Sequence, residues 1–239
     1  MTGRTSAGTG SIIRMALQFL RRVGRRGQAR QVPQQTPVTA PAAGPAGMNA
    51  RTRRVFELLV NRYGYPVNGA AGIVGNLIAE SALLPNRIEG SRPGTPMRAR
   101  DFAGQVREFT LDEIRDRSRR MGIGPDHPGI GIAQWTTAER RAGLFEHTID
   151  GQKLGTGILS NLDAQVDYLV TELRSDYRRL NATLMSPGVS VEQATDAVLL
   201  RFEVPGSVIN RPTTDPAVQA VLATRRNLAT QALHTYQTP

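Results

Sequence analysis

Three short segments carry residue types that could do chemistry together. The stretch 68–81 (NGAAGIVGNLIAES) is small and apolar almost throughout, and Glu80 is its one ionisable residue. Asn68 suits a helix N-cap and Pro85 a helix stop, so Glu80 is expected in the last turn of a buried helix. There it meets the negative end of the helix dipole on an apolar element, and both effects should raise its pKa. A carboxyl that keeps its proton near neutral pH is what general acid catalysis requires. The second segment, GIGIAQWT at 129–136, holds the single tryptophan. Glycines such as Gly131 let backbone pass close to a ligand or another segment, Gln134 offers an amide donor and acceptor, and Trp135 a flat apolar face. Sugars stack on such faces and bind such amides, which makes Gly131, Gln134 and Trp135 a candidate carbohydrate-binding set. The third, FEVPG at 202–206, ends a helical pattern on a second carboxylate, Glu203, for which Arg141 or Arg225 is a natural ion-pair partner.

The elements that must position these residues read as mainly α-helical. Apolar residues recur at helical spacing over 51–63, 69–80, 111–120, 137–148, 161–181, 191–203 and 215–234. Thr110 and Glu113 form a capping-box pattern at the start of one of them. The joints between are rich in Gly and Pro, and strand signal is weak; any small β-hairpin belongs in or near the irregular stretch 91–130. That stretch is crowded with arginine, which suits a lid, a docking element or a substrate-binding lobe.

Composition removes many alternatives. With 239 residues there is ample chain for a buried core. The absence of cysteine excludes disulfides, Cys-ligated metal centres and a thiol nucleophile, and three scattered histidines make a His-rich metal site improbable. No cofactor and no metal are therefore expected. No apolar run approaches the ~20 residues that span a bilayer.

The net charge of +10 is unevenly placed. Residues 1–50 carry seven arginines and no acid, leaving only +3 for the remainder. A specific nucleic-acid function would rest on the tail alone, and no interleaved basic and aromatic pattern supports it. Within that tail, residues 11–26 form a short basic amphipathic helix (Ile12, Ile13, Ala16, Leu17, Leu20 and Val23 on one face), and residues 31–49 a Pro/Ala-rich linker. The chain thus divides into a tail at 1–30, a linker at 31–49 and a folded domain at 50–239. The helix suits docking to a partner protein or contact with a membrane surface.

Three motifs occur in one order: a glycine-rich helix ending in Glu-Ser, then Gly-x-Gly-x-x-Gln-Trp with an arginine-bearing helix behind it, then Phe-Glu-x-Pro-Gly. In this the chain resembles the phage tail lysozyme family over roughly residues 50–236. The resemblance implies a lysozyme-like fold related to goose-type lysozymes and lytic transglycosylases, and a virion-associated enzyme acting on peptidoglycan glycan strands in the bacterial periplasm and cell wall. It implies that Glu80 is the catalytic glutamate, that Ser81 helps position it, and that Gln134 and Trp135 lie in the cleft. It does not supply a second carboxylate. By position the candidates are Asp126, then Glu89, then Asp101; if none stands opposite Glu80, a lytic transglycosylase with a single acid is the better reading. A non-catalytic virion protein retaining the fold is the rival from another class. In the virion, residues 11–26 are expected to tether the enzyme to other tail or internal proteins.

Overall fold

The computed structural model describes residues 45–117 and 128–238. The basic tail, the expected helix at 11–26 and Asp126 lie outside them. The first helix, α1 (Pro45–Glu57), starts inside the stretch read as linker and runs on through a wider π turn, Leu58–Arg62. Its apolar side chains Val55, Phe56, Leu58 and Leu59 are all buried.

Helix α2 (Val67–Ser81) lies at the centre of the packing. It is capped by Pro66, and Asn68 sits one residue inside it, not at its N-cap. The Asn68 amide instead donates to the Val189 carbonyl at 3.0 Å, a long-range partner that local spacing does not reveal. The glycines of α2 let other helices approach to backbone distance. A Cβ at Gly72 would fall 2.5 Å from the Ala194 side chain, and one at Gly75 would fall 2.6 Å from Ala229. Around these glycines Ile73, Val74 and Leu77 are buried, each removing apolar surface worth ~1.5–3 kcal/mol. Asn76, fully buried, donates to the carbonyls of Gly72 and Thr195.

Beyond α2 come a hairpin of β1 (Arg98–Arg100) and β2 (Val106–Glu108), then α3 (Leu111–Asp116). The strands pair antiparallel with Arg98 opposite Glu108 and Arg100 opposite Val106. The capping box at Thr110 forms as read. Helix α4 (Ala138–Glu146) is followed by a second, tiny hairpin of β3 (Thr148–Ile149) and β4 (Gln152–Lys153), and by a 3-10 turn at Gly155–Ser160. The pattern at 161–181 is two helices, α5 (Leu162–Ser175) and α6 (Arg178–Leu184). They break at Tyr177, whose ring packs edge-on against Phe202 at 4.9 Å. Helix α7 (Val191–Val198) widens into a π turn at Leu199–Glu203. Helix α8 (Pro216–Gln237), capped by Asp215, closes the core along α2. The fold is mainly helical, as expected.

Candidate active site

Glu80 stands in the last turn of α2, with its side chain 20% exposed. The chain leaves this turn through Ala82 and Leu83, both left-handed at φ 55° and 58°. Such a conformation in two adjacent non-glycine residues costs on the order of 1 kcal/mol or more each, so the surroundings must impose it. Ser81 does part of this: its buried Oγ lies 2.8 Å from the Ile132 carbonyl and 3.1 Å from that of Leu77, and it accepts from the Leu83 N–H. From α1, the Arg51 Nε donates to the Ala82 carbonyl at 3.2 Å. Ser81 therefore sews the end of α2 to the 129–136 segment and, being 1% exposed, has no surface to offer a ligand.

Beside Glu80 stands a cation that its own helix does not reveal. Arg225 of α8 donates one Nη to the Glu80 carboxylate and the other to the Asn76 carbonyl at 2.7 Å. Glu203, at the end of the π turn, is the carboxyl held in its protonated form. It is pushed up to about 8, first by burial and next by the negative charge of Glu80, against the opposing pull of Arg140 and Arg225. Its Oε1 is sealed from solvent and has no hydrogen-bond partner among the described residues. The next residue, Val204, is β-branched and left-handed at φ 35°, a strained geometry that marks a constrained site. Arg141, one of the two partners expected for Glu203, instead donates to the carbonyls of Pro128 and Ile114, both at 2.6 Å.

Arg140, next in sequence to Arg141, closes the network. Its guanidinium binds both oxygens of the buried Glu172 at 2.8 and 3.0 Å and lies 4.5 Å over the Phe202 ring. The same Glu172 accepts from the Trp135 indole at 2.7 Å. Trp135 is fully buried, its ring 5.2 Å from Tyr168, so no sugar can stack on it; it is a core anchor that holds Glu172. Gln134 donates its amide to the carbonyls of Gly131 and Arg87. Gly131 is required by packing: φ is 74°, and a Cβ would fall 2.6 Å from Gln165 and 2.8 Å from the Trp135 ring. The segment thus reads as a structural clasp rather than a sugar platform. Composition cannot separate these, because an amide bonded within the fold and a ligand-binding one look alike in sequence.

The remaining carboxylates are placed as follows. Glu89 exchanges two bonds with Gly129, donating its N–H to the Gly129 carbonyl and accepting the Gly129 N–H on its side chain, both at 2.8 Å. Asp101 accepts the N–H groups of Ala103 and Gln105 in the β1–β2 turn. Glu89 lines a cleft of about 630 Å³ beside the first hairpin, and Glu80 is not part of that lining. Among the described residues no group of three or more His, Cys, Asp or Glu could hold a metal, and no helix is long and apolar enough to cross a membrane.

Residues 50–236 match the family model for phage tail lysozymes. The chain belongs to the phage tail lysozyme family. No curated protein and no solved structure matches it. Family membership makes this lysozyme a peptidoglycan-acting phage enzyme of the glycosidase class. Of the network just described, sequence reasoning found Glu80 and noted Glu203 and Arg225, but missed Arg140 and Glu172. Neither of these carries any local signal: Glu172 is one of several acids on an amphipathic helix, and its partners lie more than thirty residues away.

Proposed function

We propose that the enzyme is a muramidase that cleaves the β-1,4 bond between N-acetylmuramic acid and N-acetylglucosamine, with Glu80 as general acid. The observation that supports this is the charge balance at the end of α2. Two carboxyls, Glu80 and Glu203, stand beside Arg225, while Arg140 is committed to Glu172. Burial and the charge of Glu80 hold a proton on Glu203 at neutral pH, and this is the proton available to the pair. Glu80 is the member a sugar can reach. In the reactive form Glu80 carries the proton, and the charge left on Glu203 faces Arg225. Glu80 gives the proton to the bridging oxygen, the bond to the anomeric carbon breaks with its electron pair on that oxygen, and an oxocarbenium-like centre forms. Arg225 then pairs with the newly anionic Glu80.

A second reading is a lytic transglycosylase acting on the same bond. The backbone bonds that occupy Glu89 and Asp101 favour it, because neither carboxylate is idle and poised to activate water. In that case the substrate's own C6 hydroxyl gives its proton back to Glu80 and closes an anhydro ring; in the hydrolase, Asp126 or Glu89 is the base. Glu80→Gln should lower wall lysis by ~10²–10⁴-fold with the helical circular dichroism retained; near wild-type clearing by the folded variant sinks the assignment. Mass spectrometry of the products then separates the readings, a reducing end meaning hydrolysis and an anhydro-muramyl end transglycosylation. The basic tail fits a tether to other virion proteins. Deleting residues 1–44 should abolish incorporation into virions and leave the lysis rate of the purified enzyme unchanged, whereas loss of lysis would contradict that division of labour.

A further inference from the structure

The cleft beside the first hairpin has a lining that a neutral glycan does not call for. Four arginines border it: Arg92 from the turn after α2, Arg98 and Arg100 from β1, and Arg117 from the end of α3. One carboxylate, Glu89, stands among them. Two of the arginines hold the hairpin together. Arg117 donates to the Arg100 carbonyl at 2.9 Å and lies 4.6 Å over the Phe109 ring, and Arg100 donates to the Gly104 carbonyl at 2.7 Å. Arg92 and Arg98 are exposed, and among the described residues their guanidinium groups make no hydrogen bond or ion pair. Beside them Phe102 and Val106 are half exposed, an apolar patch at the mouth of the cleft.

We propose that this cleft binds the peptide stem of peptidoglycan, with Arg92 and Arg98 on the stem's carboxylates and Phe102 and Val106 against its aliphatic side chains. The proposal rests on the peptidoglycan substrate read above and adds to it a second point of recognition away from Glu80. Guanidinium forks match carboxylates in paired geometry. A stem peptide joins several carboxylates to small apolar residues, which is the mixture this lining offers. A phosphate polymer is the other anion of a bacterial wall, but it has no use for the apolar patch. The cleft volume, about 630 Å³, falls within the range of sites that take ligands of a few residues.

The test is a titration of the full chain with the soluble tetrapeptide L-Ala-γ-D-Glu-L-Lys-D-Ala, followed by calorimetry or NMR. The wild type should bind it in a salt-dependent manner, and Arg92→Gln/Arg98→Gln should bind it at least tenfold more weakly with an unchanged melting curve. Because both side chains are exposed, that variant should fold; if its melting curve does move, Phe102→Ala provides the second reading and should also weaken binding. Absence of binding by the wild type, equal binding by the double variant, or tighter binding of a poly(glycerol phosphate) chain overturns the proposal. Lysis separates this from the glycosidase reading. Stem binding without wall lysis would remove only the muramidase assignment, and lysis without stem binding only the cleft's role.

Discussion

Replacing Glu203 with glutamine keeps the shape of the side chain and removes its titration, which isolates what the buried carboxyl does. In the folded protein Glu203 is raised from an ordinary 4.5 to about 8, so between those values the native state holds a proton that the unfolded chain has released. Stability therefore falls as pH rises through this window and levels off above it. At 1.36 kcal/mol per unit the loss is on the order of 3–5 kcal/mol, a ceiling that relaxation and water entry would lower. Glu203→Gln lacks this loss. It should match the wild type to within about 1 kcal/mol near pH 4 and exceed it by a few kcal/mol near pH 9. For a domain of this size that corresponds to a melting temperature higher by about 5–15 °C. Other groups titrate in the same range, so the quantity to follow is the difference between the two proteins across pH, by calorimetry or thermal circular dichroism. The groups facing Glu203 are Glu80 on α2, Arg225 on α8, Arg140 on α4 and Glu172 on α5. If Glu203 holds the proton that Glu80 delivers, the variant should also lose activity in the neutral and alkaline range, because a glutamine has no proton to pass on. Parallel stability curves from pH 4 to 9 would refute the buried-charge argument, and an unchanged activity profile would refute the coupling to Glu80.

Two further perturbations probe the scaffold. Gly75→Ala places a methyl 2.6 Å from the α8 backbone at Ala229, so α2 and α8 must separate; a destabilisation of about 1–3 kcal/mol in urea unfolding is expected, and a neutral result would mean that the interface is looser than described. Trp135→Phe removes the indole donor from Glu172 and should cost ~1–3 kcal/mol of stability. Because the ring is sealed in the core, the KM for cell walls should stay within twofold wherever the variant remains folded, and a large rise in KM would restore Trp135 as a sugar contact.

The parts of the molecule legible in the sequence are those dictated locally. The run from Gly69 to Ser81 could only be a buried helix, and its one acid could only lie near the end of it. The Thr110 cap is equally local. Where reading failed, the deciding partner was distant. Asn68 left the N-cap position for a carbonyl 121 residues away. Glu80 acquired its cation from Arg225, 145 residues on, and with that pairing the carboxyl favoured in its protonated form became Glu203. The break between α5 and α6 has no glycine or proline to announce it and depends on Tyr177 reaching Phe202. Polar residues in the 129–136 segment look like ligand contacts until their buried partners are visible.

The glycines on α2 have a mechanical consequence. With backbone against backbone at Gly72 and Gly75, there is no side-chain layer that could shear, and α2 can neither roll nor slip without steric collision. Glu80 is thus mounted on a joint packed backbone to backbone, and flexing that admits or releases a cell-wall strand is expected of the hairpins and turns around it.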